Sequence, residues 1–400
     1  MSLFISSKAT GLPYNMVIKD GLVKKTLEPY TEDIAASHFG NLEIKNSIEP
    51  LLSLFECEIS DIIPKQFYRS FQECKYSGDI PWSSVLPKKM YIKLLKGLLT
   101  EIQCSLKKVN NSLYPAFFYE TNKIFNMLRP SYIDELMCKE HLEEGDNHVL
   151  KSILAMAQDG CLRVPRYDRV STKTGRLVIK DGPQVLTLKK DFRDIFKPSS
   201  SRNKLYEVDF VSLEPRVALS IAGTKSAVDD VYMSLVDAFD LNVSREAAKI
   251  AVLCSLYGAG NHHLNSILKK EGSNVNATTL LKKVKKHFNI AHLTSKLRDE
   301  ASSGFITNCF GRPIEVDGQR DSILVNNFLQ SSAADLALWG FVDFCESMNK
   351  MVRPMFVIHD ALIFEAAPEH LGLITEYVDK GFKGLGTGTF PLKLTEFRNK

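Results

Sequence analysis

Two aspartates set in apolar runs are the first residues of this chain with the means to do chemistry. Asp209 comes late in Leu205-Tyr206-Glu207-Val208-Asp209-Phe210, and a carboxylate inside such a strand is costly unless it is paired or holds a cation. Asp360 lies between Met355-Phe356-Val357-Ile358 and Leu362-Ile363-Phe364. Two apolar strands that close together make His359-Asp360-Ala361 a tight turn and push the Asp360 carboxylate out at a hairpin tip. Converging from neighbouring strands, the two carboxylates suit Mg²⁺, a hard cation that takes few carboxylates and keeps places for phosphate oxygens. Each segment by itself is explained more simply, as a strand end and as a turn.

A helix supplies the second set. Ser244 is a good N-cap, and Arg245, Lys249, Leu253 and Tyr257 follow at intervals of four. Four residues advance about 400° around a helix, so these side chains form a slowly drifting stripe on one face. Two cations, an apolar group and an aromatic in a row resemble a nucleotide surface, with charges for phosphates and flat groups for base and sugar. A surface stripe ending in a core tyrosine explains it equally well. Gly258 and Gly260 end the helix and allow close backbone approach.

The elements that must position these residues are legible in outline. After Pro87, Met90, Leu94, Leu95, Leu98, Leu99, Ile102 and Leu106 recur at helical spacing, with Lys93, Lys96, Lys107 and Lys108 on the remaining surface. A second helix is predicted from Pro115 to Leu128, stopped by Pro130. Strands are predicted over Leu177–Ile179, Val185–Leu188 and Leu205–Phe210, with a turn at Ser199–Asn203. Helical patterns dominate from 228 to 300, a long helix covers Asn326–Met348, and the hairpin and the extended segment Phe390–Leu394 follow. Strands thus flank a helical insert. Four hundred residues allow two to four packed subdomains. The apolar content of 44%, charged content of 24% and net charge of +4 are those of a soluble globular protein compatible with a polyanionic partner. The eight cysteines are scattered, without zinc spacing, and read as reduced thiols. No apolar run reaches the roughly 20 residues that cross a bilayer, so a cytoplasmic protein without a membrane partner is expected.

At this point several blocks match one family in its own order. Asp209-Phe210-Val211-Ser212-Leu213-Glu214-Pro215-Arg216 resembles motif A of the family A DNA polymerases, D-Y-S-x-x-E-x-R. Arg245-x3-Lys249-x7-Tyr257-Gly258 is similar to motif B, and Val357-Ile358-His359-Asp360 resembles motif C, V-x-H-D. Thr174-Gly175-Arg176, Phe310-Gly311-Arg312 and Asn326-x3-Gln330-x2-Ala333-Ala334-Asp335 agree as well. Any one block is weak; six in order, over 160–400, are specific.

The resemblance implies an α+β right-hand fold with an antiparallel-sheet palm, helical fingers and a helical thumb. It implies palm at 160–224 and 319–400, fingers at 225–318 and a thumb-like helical region at 86–159, with 1–85 unassigned. Asp209, Asp360 and the Phe210 carbonyl would hold two Mg²⁺ ions, with Mn²⁺ as a substitute. Arg245 and Lys249 would bind the triphosphate, Lys249 as a catalytic group, joined by Leu253, Tyr257 and Tyr232 around the nucleotide. Glu214 matches the steric gate against ribose. Arg176, Asn326, Gln330 and His359, with Arg216 and Gly258, would contact DNA. In the minor groove the acceptors shared by all correct pairs let donors check shape without reading sequence. Primer–template DNA and deoxynucleoside triphosphates are the implied partners of a monomer, with replication accessory proteins beside it.

The departures are specific. Leu253 stands where the family has Phe or Tyr, Tyr232 where it commonly has histidine, and Ala361 where an acidic residue often follows His-Asp. Val178-Ile179 and Ser331-Ser332 replace the family's polar pair and Gly-Thr. No Asp-x-Glu on an apolar strand occurs in the first 85 residues, so a chain without proofreading exonuclease is expected. Two other readings remain: an RNA polymerase or primase on the same fold, against which Glu214 and Thr174-Gly175-Arg176 speak, and a non-catalytic primer–template-binding accessory protein.

Overall fold

The computed structural model describes residues 2–7, 12–19, 22–28, 36–38, 51–55, 57, 63–75, 80, 82–109, 112–223, 230–258, 261–316, 318–386 and 388–397. Gly260 lies outside them. The chain divides into two compact units, Met1–Tyr119 and Glu120–Lys400.

In the first unit β1 (Ser2–Ile5), β2 (Asn15–Lys19), β3 (Leu22–Thr26) and β4 (Ala36–His38) form a sheet in the order β3-β2-β1-β4. Its pairs are antiparallel except β1 with β4, which is parallel. Helices α1 (Lys65–Glu73), α2 (Trp82–Val85) and α3 (Lys88–Val109) follow. The predicted apolar stripe of α3 is real: Leu98 and Ile102 pack with Ile5 and Ile18, while Leu95 and Tyr91 pack with Trp82. Lys93, Lys96 and Lys107 are exposed, as the helical period requires.

Helix α4 (Tyr114–Met127) takes Pro115 in its first turn, where a missing N–H costs nothing. The second unit continues with β5 (Ser131–Ile133), α5 (Glu135–Glu144), α6 (His148–Met156), β6 (Cys161–Leu162), β7 (Arg166–Asp168), β8 (Val178–Asp181), β9 (Phe196–Lys197) and β10 (Lys204–Phe210). Then come α7 (Leu213–Ile221), α8 (Val231–Ala238), α9 (Arg245–Tyr257), α10 (Asn261–Lys270), α11 (Ala277–His287) and α12 (Ile290–Ala301). The ribbon β11 (Phe305–Thr307) and β12 (Pro313–Glu315) leads into α13 (Asp321–Met348). The unit closes with β13 (Val352–Ile358), β14 (Ala361–Ala366), α14 (Leu371–Lys380), β15 (Phe382–Lys383), β16 (Thr389–Phe390) and β17 (Leu392–Glu396).

Four of these strands make the sheet that matters, in the order β13-β14-β10-β17 and antiparallel throughout. Strand side chains alternate between faces, and here each face has its own core. Tyr206, Val208, Val357, Leu362 and Phe364 join the larger cluster with α13, while Leu205, Phe356, Ile358 and Ile363 join a second one with α6. The sheet is therefore a wall between two cores, which is why β10, β13 and β14 read as nearly continuous apolar runs. Helix α13 is buried on most of its surface, as expected of a helix that is apolar all round.

One predicted strand is absent. Val185–Leu188 forms turns, with Val185 N–H donating to Pro183 O at 2.9 Å and Thr187 N–H to Gln184 O at 3.3 Å. Val185 and Leu188 are buried in the second core all the same; their apolar character reports burial, and Gly182-Pro183 removes the extended geometry. All eight cysteines are free. Among the described residues no helix is long and apolar enough to cross a membrane.

Candidate active site

β10 is flanked on both sides, so Asp209 at its end faces Ala361 on β14 and Lys393 on β17. Ala361 opens β14 directly after the turn His359-Asp360, and Ile358 pairs with Ala361 across that turn. His359 adopts φ 55°, a left-handed conformation that lets the chain reverse within two residues. Phe210 N–H donates to Asp360 O at 3.2 Å, which hooks the hairpin tip onto the strand end. The strand end and the hairpin tip that carry the two aspartates are thus adjacent.

Their electrostatics differ from those of an ordinary strand end. Asp209 Oδ1 is buried with no hydrogen-bond partner. Burial, then the Asp360 and Glu207 carboxylates, push the Asp209 carboxyl up to about 7, with the Phe210 backbone N–H and then Lys393 pulling the other way. A carboxylate stripped of water beside a second one is stabilised by a proton or by a metal cation. Burial also raises Glu214 above its ordinary value, opposed by the Arg176 guanidinium.

A cleft beside the hairpin tip is lined by Arg176, Glu214, Gln330, His359 and Asp360, together with Ala333 and Ala334. Glu214 arrives there because Ser212, at φ 53°, turns the chain sharply from β10 into α7 and leaves Glu214 in the first helical turn. Arg176 Nη2 donates to Glu214 Oε1 at 3.1 Å across the cleft. Asn326 stands one helical turn before Gln330 on α13, and its Oδ1 is buried without a partner.

The stripe of α9 forms as expected, with the Ser244 hydroxyl accepting from Ala247 N–H. Arg245, Lys249, Leu253 and Tyr257 do not line the cleft just described. Arg245 is exposed, paired with Asp230 at 2.5 Å, and its guanidinium lies 5.2 Å from the Tyr232 ring centroid. Tyr232 itself is only 5% exposed. Its ring supports Arg245, the expected triphosphate ligand, from inside the core. Gly258 ends α9 at φ +69°, and a Cβ there would lie 2.4 Å from the Ser322 Cβ, so the close approach expected of this glycine is to α13.

Arg216 is the clearest departure. It is 1% exposed, and its Nε donates to Val211 O at 2.8 Å. Instead of reaching a DNA surface it fastens the strand–helix corner that carries Glu214.

Sequence reasoning missed a buried polar knot. Arg169 Nη2 donates to Asp335 Oδ1, its Nη1 donates to Thr121 Oγ1 and Asn122 Oδ1 at 2.6 and 3.0 Å, and Asn308 Nδ2 reaches Asp335 Oδ2 at 2.8 Å. Arg312, fully buried, donates from Nη2 to Arg169 O and Thr172 O at 2.9 and 3.2 Å. The test that singled out Asp209, a charge inside an apolar run, would have found Asp335 as well.

The fold is thus α+β, with an antiparallel sheet that carries paired acidic groups beside a helical insert bearing cations. Residues 121–394 match the sequence profile of DNA polymerase family A, and the chain belongs to that family. DNA polymerase I of Bacillus subtilis (strain 168) is 21% identical over 265 residues, covering 57% of this chain and 30% of that protein. The chain thus spans less than a third of that relative's length. The POL domain of Pol1 from M. smegmatis, solved in complex with DNA primer-template and dNTP, superposes with a TM-score of 0.50 at 17% identity, over 88% of this chain and 63% of that one.

Proposed function

We propose that this chain is a template-directed DNA polymerase that adds deoxynucleotides to a primer 3′-hydroxyl. The observation that carries the reading is the uncompensated Asp209 beside Asp360 at the edge of a cleft. An orphaned, desolvated carboxylate oxygen next to a second carboxylate is the donor set of a hard divalent cation. Asp209, Asp360 and the Phe210 carbonyl would hold two Mg²⁺ ions, or Mn²⁺ in their place. Bound there, they would supply the positive charge that two-metal phosphoryl transfer requires.

The protein's own groups bind and orient. Lys249 and Arg245, exposed on α9, would meet triphosphate oxygens, with Arg245 exchanging Asp230 for phosphate. Leu253 and Tyr257, half-buried on the same stripe, offer flat and apolar surface to sugar and base. Glu214 at the cleft wall crowds the 2′ position of the incoming sugar and favours deoxynucleotides. Arg176, Gln330 and His359 line the cleft where the primer terminus and the minor groove would lie, with Asn326 one turn away on α13. In this reading the sheet β13-β14-β10-β17 with α13 is the palm, α8 to α12 are the fingers, and the lysine-bearing α3 with the helices after it forms the thumb.

Primer extension by the wild type, Asp209→Ala and Asp360→Ala at matched DNA affinity tests this. Extension by the wild type alone is expected. Equal activity of all three proteins would sink the site assignment, and inactivity of all three would favour a DNA-binding accessory protein. Running the wild type with ribonucleotides separates it from an RNA polymerase or primase.

A further inference from the structure

Arg176 stands on a loop with little structure of its own. Strands β7 and β8 pair only from Arg166–Asp181 to Asp168–Val178, which leaves 169–177 as the tip of their hairpin. Long hairpin loops are mobile by default. This one is filled from inside by a side chain that belongs elsewhere. The Arg312 guanidinium takes the carbonyls of Arg169 and Thr172, and Gly175, at φ +74°, passes so close that a Cβ would lie 3.0 Å from Arg312 Cζ. Gly175 N–H donates to Thr172 O at 3.1 Å, and the Thr172 hydroxyl donates to Arg176 O at 2.7 Å. The donors of Arg312 therefore hold the loop one hydrogen bond away from the backbone of Arg176.

The base of the loop is fixed to a second element. Arg169 pairs with Asp335, both essentially buried, and Asp335 lies on α13 together with Gln330. Asn308 joins Asp335 to the Arg312 turn, donating to Asp335 and accepting from Arg312 N–H at 2.9 Å. A buried pair of this kind is weak evidence for stability, because desolvation offsets the attraction. What a planar, multiply bonded guanidinium does supply is one geometry.

We propose that Arg312, with the Arg169–Asp335 pair beneath it, is a positioning residue that holds Arg176 at a fixed distance from Gln330, so that both meet the primer terminus together. The proposal rests on the reading of Arg176 and Gln330 as primer contacts. It explains why Thr174-Gly175-Arg176, Phe310-Gly311-Arg312 and Asp335 occur in one chain: three separate segments converge on one knot.

The test uses the full chain with Arg312→Lys, Gly175→Ala, Arg176→Ala and the double variant Arg312→Lys/Arg176→Ala. Lysine keeps the charge but cannot span two carbonyls, and the added methyl displaces the guanidinium without touching the buried pair. Each of the first two is expected to lower kcat on a matched primer about tenfold, with nucleotide KM and DNA affinity within about twofold. Adding Arg312→Lys to Arg176→Ala is expected to cost nothing further. Amide exchange is expected to rise across 172–176 and stay unchanged in β10 and β14. Losses that multiply in the double variant, or wild-type kcat per folded molecule in Arg312→Lys, would overturn the proposal. Should Arg312→Lys fail to fold, Gly175→Ala carries the same comparison against Arg176→Ala. If Arg176→Ala extends primers normally, the primer-contact reading fails, and exchange across the loop alone then decides whether Arg312 holds it.

Discussion

The same antiparallel ladder carries an acid near each end, Glu365 buried and Asp209 half-buried with one carboxylate oxygen buried, and the two are treated in opposite ways. Asp209 pairs with Ala361 at one end, and Leu205 pairs with Glu365 at the other. Glu365 is 1% exposed and receives Ser199 Oγ at 2.6 Å, Asn203 Nδ2 at 2.7 Å and Arg353 Nη1 at 3.0 Å. Burial alone would raise its carboxyl, but the Ser199 and Asn203 hydrogen bonds, with the Arg353 charge, hold it below the usual range. Asp209 has a buried oxygen without a donor and a like charge beside it. One acid is neutralised by its own fold and serves structure; the other is left for something the fold does not supply.

The comparison can be broken most decisively through activity. Asp209→Ala or Asp360→Ala is expected to reduce primer extension by at least about a thousandfold, while Glu365→Gln leaves extension per folded molecule unchanged; loss of activity in all three would erase the distinction. Stability should respond the other way. Glu365→Ala strands Arg353 and two donors and is expected to cost about 2–3 kcal/mol in urea denaturation, whereas Asp209→Asn should stabilise the metal-free protein.

The pH dependence sharpens this further. Glu365 titrates lower in the folded state, so its contribution is present above its unfolded value of 4.5 and fades as pH falls through the folded value. Asp209 titrates higher, so the metal-free protein loses stability as pH rises from 3.8 to about 7. Thermal melts of the wild type against Glu365→Gln should converge in acid, and those against Asp209→Asn should diverge between pH 5 and pH 8. Mg²⁺ at pH 8 should raise the Tm of the wild type and not that of Asp209→Asn, because only the native site binds it. The smallest effect belongs to Lys393, exposed across the ladder from Asp209. Lys393→Met should move the Mg²⁺ effect slightly toward higher pH, and a downward shift would contradict the assigned electrostatics.

Much of this site was readable beforehand because its signals are local. Asp209 and Asp360 stand out as charges inside apolar runs, the α9 stripe follows helical spacing, and the hairpin turn is bracketed by its own strands. What escaped depends on distance along the chain. Thr121, Arg169, Arg312 and Asp335 meet only after folding, and no spacing rule links them. Arg216 misled for a related reason: residue type says what a side chain can do, and the packing of α7 decides whether it faces water. Val185–Leu188 shows the same limit, since burial and extension leave the same mark on a short apolar run. The short strands β1 to β4 carried no readable period either.

The placement of β10 also has a consequence for how the protein is made. Both strands that flank it, β14 and β17, are translated only after the entire run from α7 to α13. A nascent chain therefore exposes the apolar edges of β10 for much of its synthesis, with no native neighbour to cover them. Such long-range pairing is slow to form and prone to aggregate while it waits. Assembly of the Asp209–Asp360 pair must come late, after nearly all of the second unit has left the ribosome, and a chain stalled within α13 would carry Asp209 with nothing opposite it.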